Sequence, residues 1–138
     1  MDARDALDAY SEIVSGVAGQ LTPKVASLRV PHQTPRGMGE GLGSGVVFTG
    51  DGFLLTNAHV VGRATGGTAS FSDGTEVPFR VVGADPLSDL AVLRTTGSTP
   101  EPAELGEADQ LVVGQLVVAA VTDPARPSGL PTATTSCR

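Results

Sequence analysis

The chain opens on a helical pattern and then changes to short apolar runs. Ala6, Leu7, Tyr10, Ile13, Val14, Val17 and Leu21 recur at intervals of three and four, which predicts an amphipathic helix over Asp2 to Leu21. Pro23 follows, and a proline disfavours helix at the residue before it. The apolar stripe of this helix is expected to pack on the rest of the domain, with partner binding as the alternative. Val25 to Val30 then reads as a strand. Pro31 to Gly43 is dense in Pro and Gly and reads as a flexible loop. Gly45 to Phe48 and Phe53 to Thr56 are apolar runs joined by Thr49-Gly50-Asp51-Gly52. Asp-Gly between two apolar runs signals a hairpin. Thr68 to Phe71, Glu76 to Ala84 and Leu90 to Arg94 are further strands, and Ser72-Asp73-Gly74-Thr75 is a second turn. Leu111 to Val113 and Gln115 to Val121 complete the apolar segments.

About six or seven short strands therefore lie between residues 25 and 121, which suggests an antiparallel barrel or sandwich. No crossover helices separate them, which argues against a parallel sheet. The stretch Thr122 to Arg138 has prolines, threonines and serines but no hydrophobic period. It reads as a disordered tail. The expected organisation is a helix over 1–22, a barrel over 23–121 and an unstructured tail over 122–138.

Composition narrows the partners more than the fold. With four Phe, one Tyr and no Trp, the core must be built from Val, Leu and Ala. The formal net charge is −6 and Lys24 is the sole lysine, so a basic footprint for nucleic acid is absent. No run approaches the roughly 18 apolar residues of a membrane span. The start carries Asp2, Asp5, Asp8 and Glu12 rather than the basic, apolar pattern of a signal peptide. As written, the chain is expected to stay in the cytoplasm. Cys137 is the single cysteine; it has no internal disulfide partner and is read as a tail residue without a role.

Two segments can carry chemistry. His59 follows the strand ending in Leu54-Leu55-Thr56 and the residues Asn57-Ala58. A strand end holds a side chain firmly while leaving it open to solvent. Imidazole titrates near neutral pH and can take and return a proton. Asp89 stands just before the apolar run Leu90 to Leu93. A carboxylate there would accept a hydrogen bond from His59 and fix its tautomer. On residue type alone Asp85 competes equally with Asp89. Asp51 and Asp73 are turn residues by context, and His32 reads as a solvated loop histidine.

These segments resemble the HtrA/DegP branch of the chymotrypsin-like serine proteases. Gly43-Ser44-Gly45-Val46-Val47 is similar to that family's entry strand, and Leu55-Thr56-Asn57-Ala58-His59-Val60-Val61 to the segment with its catalytic histidine. Asp85-Pro86-Leu87-Ser88-Asp89-Leu90-Ala91-Val92-Leu93 resembles the segment with its catalytic aspartate, which falls on Asp89. Leu105 to Asp109 and Val113 to Ala119 resemble the strands that close its first barrel. The likeness runs over about residues 20 to 121. It implies an all-β fold with a six-stranded antiparallel barrel, the first of two flanking an active site. It also implies endopeptidase activity on exposed polypeptide by a Ser-His-Asp triad, with no cofactor and no metal. Family members commonly carry a later peptide-binding domain and often form trimers.

The family continues with an isoleucine-glycine-asparagine-proline turn where this chain has Val121-Thr122-Asp123-Pro124. The resemblance then stops short of the nucleophilic serine, the oxyanion hole and the substrate pocket. Ser44, Ser88, Ser128 and Ser136 lack the flanking glycines of the family's serine segment. The expectation is a chain truncated before its serine and inactive alone. The alternatives are a noncatalytic protein-binding or regulatory module, or a half-protease completed by a separate second barrel. The partner of either would meet the exposed barrel face; the completed protease would take polypeptide substrate.

Overall fold

The computed structural model describes residues 2–122 and the backbone of residues 132–137. Helix α1 spans Ala3–Leu21. The Asp2 side chain caps it by accepting from the backbone N–H of Arg4 at 2.8 Å and of Asp5 at 3.0 Å, which satisfies donors with no partner inside the helix. Pro23 lies in the 3-10 turn Thr22–Lys24 that ends it. No residue of α1 is buried, and Leu7 and Ile13 are more than half exposed. The expectation that its apolar stripe packs on the domain therefore holds only toward the C-terminal end, where α1 meets the segment Leu116–Val121. Only Val14, Val17, Ala18 and Leu21 are even half-buried.

Six strands close into an antiparallel barrel: β1 Val25–Thr34, β2 Gly37–Val47, β3 Phe53–Thr56, β4 Gly66–Ser70, β5 Glu76–Asp85 and β6 Leu90–Thr95. A one-turn helix, α2 Ala58–Val61, sits between β3 and β4. Around the barrel the order is β1-β2-β3-β6-β5-β4, with β4 pairing back onto β1. Closure gives each of the six strands two paired neighbours, while the outer parts of β1 and β2 pair only with each other. The expected all-β class, the six-stranded barrel and the N-terminal helix are all present.

Turn chemistry sets the strand breaks. Thr49 accepts the Phe53 amide at 3.1 Å and Gly52 takes φ +94. Asp73 accepts the Thr75 amide at 2.9 Å beside Gly74 at φ +88. The interior is aliphatic, as composition required. Leu28, Leu54, Leu93, Val30, Val47 and Val61 are the largest fully buried side chains, joined by Phe71 and Phe79. Leu54 lies directly opposite Leu93 across the β3–β6 ladder. The two buried threonines are satisfied: Thr56 donates to the Ser44 carbonyl at 2.8 Å and Thr95 to the Gly52 carbonyl at 3.2 Å.

Three other expectations change. Pro31 to Gly43 is not a loop. It forms the outer parts of β1 and β2, in register from Val25↔Val46 to Thr34↔Gly37, with Pro35 and Arg36 as the turn. Gly37, at φ +114, leaves the turn, while Gly41 and Gly43 lie where the side chains of His32 and Val60 leave no room for a Cβ, so these two mark close packing rather than flexibility. Leu111 to Val113 is not a strand; a 3-10 turn over Ala108–Gln110 precedes it and Gly114 at φ +91 follows it, leaving Val113 fully exposed. β7, Leu116–Val121, does not close the barrel. It pairs with β8, Thr132–Cys137, in a separate two-stranded sheet, so part of the stretch read as a tail is extended and paired. Four of the six β8 residues are Thr or Ser; β-branched Thr favours strand without supplying the apolar alternation that would announce it.

Candidate active site

The β3 strand ends at Thr56, and Asn57 leads into α2, which carries His59. The β5–β6 connection ends at Asp89, immediately before β6. β3 and β6 are neighbours, so the two segments meet at one end of the barrel.

They meet through four hydrogen bonds. The Asp89 carbonyl accepts the Ala58 amide and the Asn57 side-chain Nδ2, each at 3.1 Å. The Asp89 carboxylate accepts the His59 amide on Oδ1 at 2.9 Å and lies 2.8 Å from His59 Nδ1 through Oδ2. Asp89 is the one non-glycine residue with positive φ among the described residues, at +55. Aspartate tolerates this left-handed conformation better than most residues. It turns both the carbonyl and the carboxylate toward α2.

The carboxyl of Asp89 is held below its usual range, chiefly by the hydrogen bond from the His59 backbone amide and then by the ring. An ionised carboxylate only accepts. His59 Nδ1 must then carry the proton, which leaves Nε2 with a free lone pair. The His59 side chain is 71% exposed and that of Asp89 44%, so Nε2 can receive a proton from a group brought to it from outside.

The structure separates Asp89 from Asp85. Asp85 accepts the Leu87 amide at 3.0 Å and the Ser88 hydroxyl at 2.9 Å. It shapes the turn that presents Asp89 and does not reach His59. Asp51 and Asp73 are turn carboxylates lowered by Thr49 and Thr75 respectively. His32 is half-buried on β1 rather than solvated in a loop. Ser44 shares a 2.8 Å hydrogen bond with the Thr122 hydroxyl and accepts the Thr122 amide at 3.2 Å. Among the described residues no serine hydroxyl is bonded to His59, and no group of His, Cys, Asp and Glu has metal-site spacing. Ser128 lies outside the described residues; Ser136 and Cys137 lie in β8, where only the backbone is described. The amide role of Asn57 escaped the sequence reading, since nothing in the order of residues shows which carbonyl an asparagine will face.

The model of the trypsin-like peptidase domain matches residues 43–137. The chain belongs to the trypsin-like peptidase family. The match begins at the foot of β2 and takes in α2, the Asp89 turn and the β7–β8 pair. It runs past residue 121, where the likeness was expected to stop. The serine protease PepD of Mycobacterium tuberculosis is 40% identical over 116 residues, covering 77% of this chain and 24% of that protein. A probable periplasmic serine endoprotease DegP-like of Ectopseudomonas mendocina is 40% identical over 93 residues, covering 63% of this chain and 20% of that protein. The chain thus spans about a quarter or less of the curated relatives it matches. The solved HtrA-type protease AlgW with tripeptide superposes with a TM-score of 0.74 at 30% identity, over 88% of this chain and 38% of that one. This is an HtrA/DegP-like trypsin-like peptidase barrel. Among the described residues no helix is long and apolar enough to cross a membrane.

Proposed function

We propose that this trypsin-like peptidase barrel supplies the general base and the orienting carboxylate of a serine endopeptidase. The observation that carries the reading is the double engagement of Asp89 with His59, through the backbone amide and ring Nδ1 at once. In the reaction, His59 Nε2 takes the proton of a serine hydroxyl as that oxygen attacks the scissile carbonyl. It then gives the proton to the leaving amine. Asp89 keeps the proton on Nδ1 and stabilises the imidazolium. No cofactor or metal enters these steps.

The serine and the oxyanion donors would come from a second barrel, on a longer form of the chain or on a separate one. The exposure of His59, Asp89 and Leu90 at one end of the barrel supports this, because the pair faces outward with space for a partner surface. By itself the chain of 138 residues would hydrolyse peptides no faster than background. A triad lacking one member retains roughly 10³–10⁴-fold catalysis only when its oxyanion hole and binding site remain. The exposed barrel end is also where a protein partner would dock in the noncatalytic alternative. The periplasmic naming of the DegP-like relatives supports a location outside the cytoplasm and weighs against the cytoplasmic expectation.

The test joins the chain to a serine-bearing second barrel of an HtrA-type protease. Peptide hydrolysis and fluorophosphonate labelling should appear together and vanish in His59→Ala. Full hydrolysis by the chain alone, or by the joined protein after His59→Ala, overturns the proposal.

A further inference from the structure

β2 carries an unbroken inward row of glycines at Gly39, Gly41, Gly43 and Gly45, while Met38, Glu40, Leu42 and Ser44 face the other way. Side chains from elsewhere fill the space above this row. A Cβ at Gly43 would lie 2.5 and 2.7 Å from the two γ carbons of Val60, the residue after His59. A Cβ at Gly41 would overlap Nε2 of His32. The His32 ring continues to Gly62, where a Cβ would stand 3.6 Å from its Cε1. Gly62 closes α2, with φ +54 and its N–H bonded to the Ala58 carbonyl. Thus α2 is gripped on two sides. Asp89 holds its first two amides, and the glycine row with His32 receives Val60 and Gly62.

We propose that Gly43, Gly41 and His32 form a seat that positions His59 against Asp89, so that these residues act on the catalytic pair through α2 without touching substrate. A helix of four residues cannot hold its own geometry, because nucleation costs more than one turn returns. Its placement must come from outside. Val60 is β-branched and stiff at χ1, and β2 is held in register with β1 along its whole length, Gly43 opposite the fully buried Leu28, and with β3 at Val46 and Val47 just beyond. A methyl at Gly43 therefore displaces Val60 rather than being absorbed. His59 is the adjacent residue and moves with it. Misplacement of about 1 Å is enough to cost a catalytic base much of its effect. The same geometry explains why a stretch so rich in glycine is strand and not loop.

The inference rests on the proposed role of His59, but its test does not need activity. The readout is hydrogen exchange of the His59 amide, whose acceptor is Asp89, with the Leu54 and Leu93 amides of the barrel as reference. Gly43→Ala should speed exchange at His59 about tenfold or more and leave Leu54 and Leu93 within about twofold. Adding Val60→Ala removes the γ carbons that the new methyl meets. The double variant should return His59 to within about threefold of the original rate. An unchanged His59 rate in folded Gly43→Ala, or a double variant no better than the single one, overturns the seat. If Gly43→Ala does not fold, His32→Ala replaces it; that change only opens space and should also speed His59 exchange, and an unchanged rate is again decisive. Loss of the seat with hydrolysis still dependent on His59 leaves the catalytic reading standing. An intact seat with hydrolysis independent of His59 removes the catalytic reading alone.

Discussion

Asp89 takes the backbone amide of His59 on one carboxylate oxygen and faces the ring Nδ1 with the other, at 2.9 and 2.8 Å. One side chain thereby fixes both the position of the histidine's backbone and the tautomer of its ring. Neither bond alone would do both. The left-handed backbone at Asp89 is what lets its carbonyl hold Ala58 and Asn57 at the same time.

The tautomer can be removed without the shape. Asp89→Asn keeps a residue that accepts positive φ but offers a neutral amide to Nδ1. In a protein completed by a serine-bearing barrel, hydrolysis should fall by roughly 10⁴-fold, as a carboxamide in this position stabilises the wrong tautomer. Steady-state kinetics on a peptide substrate measures it, and a fall below tenfold contradicts the role given to Asp89.

The same pair makes a pH prediction. The folded Asp89 carboxyl lies below its usual value of 3.8, first because of the His59 amide and then the ring. A depressed carboxyl contributes stability that is present above 3.8 and is lost as the pH falls through the folded value. Urea midpoints of the unsubstituted chain and Asp89→Asn should therefore differ by a constant amount from pH 5 to 6 and converge below 3.8. The exposure of the pair keeps the difference small. A gap that widens on acidification contradicts the assignment.

Asp85 should behave differently. Its carboxylate organises the turn through Leu87 and Ser88. Asp85→Ala should lower stability by about 0.5–1 kcal/mol and leave the ring signals of His59 in place. Thermal melting and the imidazole proton spectrum check the two halves. Loss of the His59 signal at unchanged stability would reverse the roles of the two aspartates.

What the sequence disclosed follows from where local rules are strong. The Asp-Gly turn after Thr49 and the apolar runs around Leu54 and Leu93 showed the hairpin and the central strands, because turn chemistry and burial agree there. The choice of His59 with Asp89 came from the resemblance of whole segments; residue type left Asp85 equal, since the difference between them is which way a turn points. The β1–β2 extension was hidden because glycine, read locally, signals a breaker. Here glycine is required by Val60 and His32, contacts that only tertiary structure provides. β7 looked like a barrel strand because Leu116–Val121 is a continuous apolar run inside the segment that resembles the family's closing strands; pairing partners are not written in a strand's own pattern.

The barrel's centre should be the most sensitive place for stability. Leu54 and Leu93 face each other on β3 and β6 and are fully buried. Either change to Ala should cost about 2–5 kcal/mol. The double change should cost less than the two together, because the cavities merge. Denaturant unfolding followed by far-ultraviolet circular dichroism measures this. Additive costs would mean that the two side chains do not share one space.

Helix α1 should matter little to the barrel. Its cap at Asp2 is well formed, yet no residue of the helix is buried. Most helical stability in proteins comes from packing of an amphipathic face, and α1 buries no residue, so the cap supports the helix and not the core. Asp2→Ala should lower helix content, at a cost to the helix of about 1 kcal/mol, while the melting temperature of the barrel changes by less than about 4 °C. Circular dichroism reads the first and a melt followed through the barrel's methyl resonances reads the second. A barrel that loses its cooperative melt when α1 is weakened would show that the contact made through Val14, Val17, Ala18 and Leu21, the residues of α1 that are half-covered, holds the barrel as well as the helix.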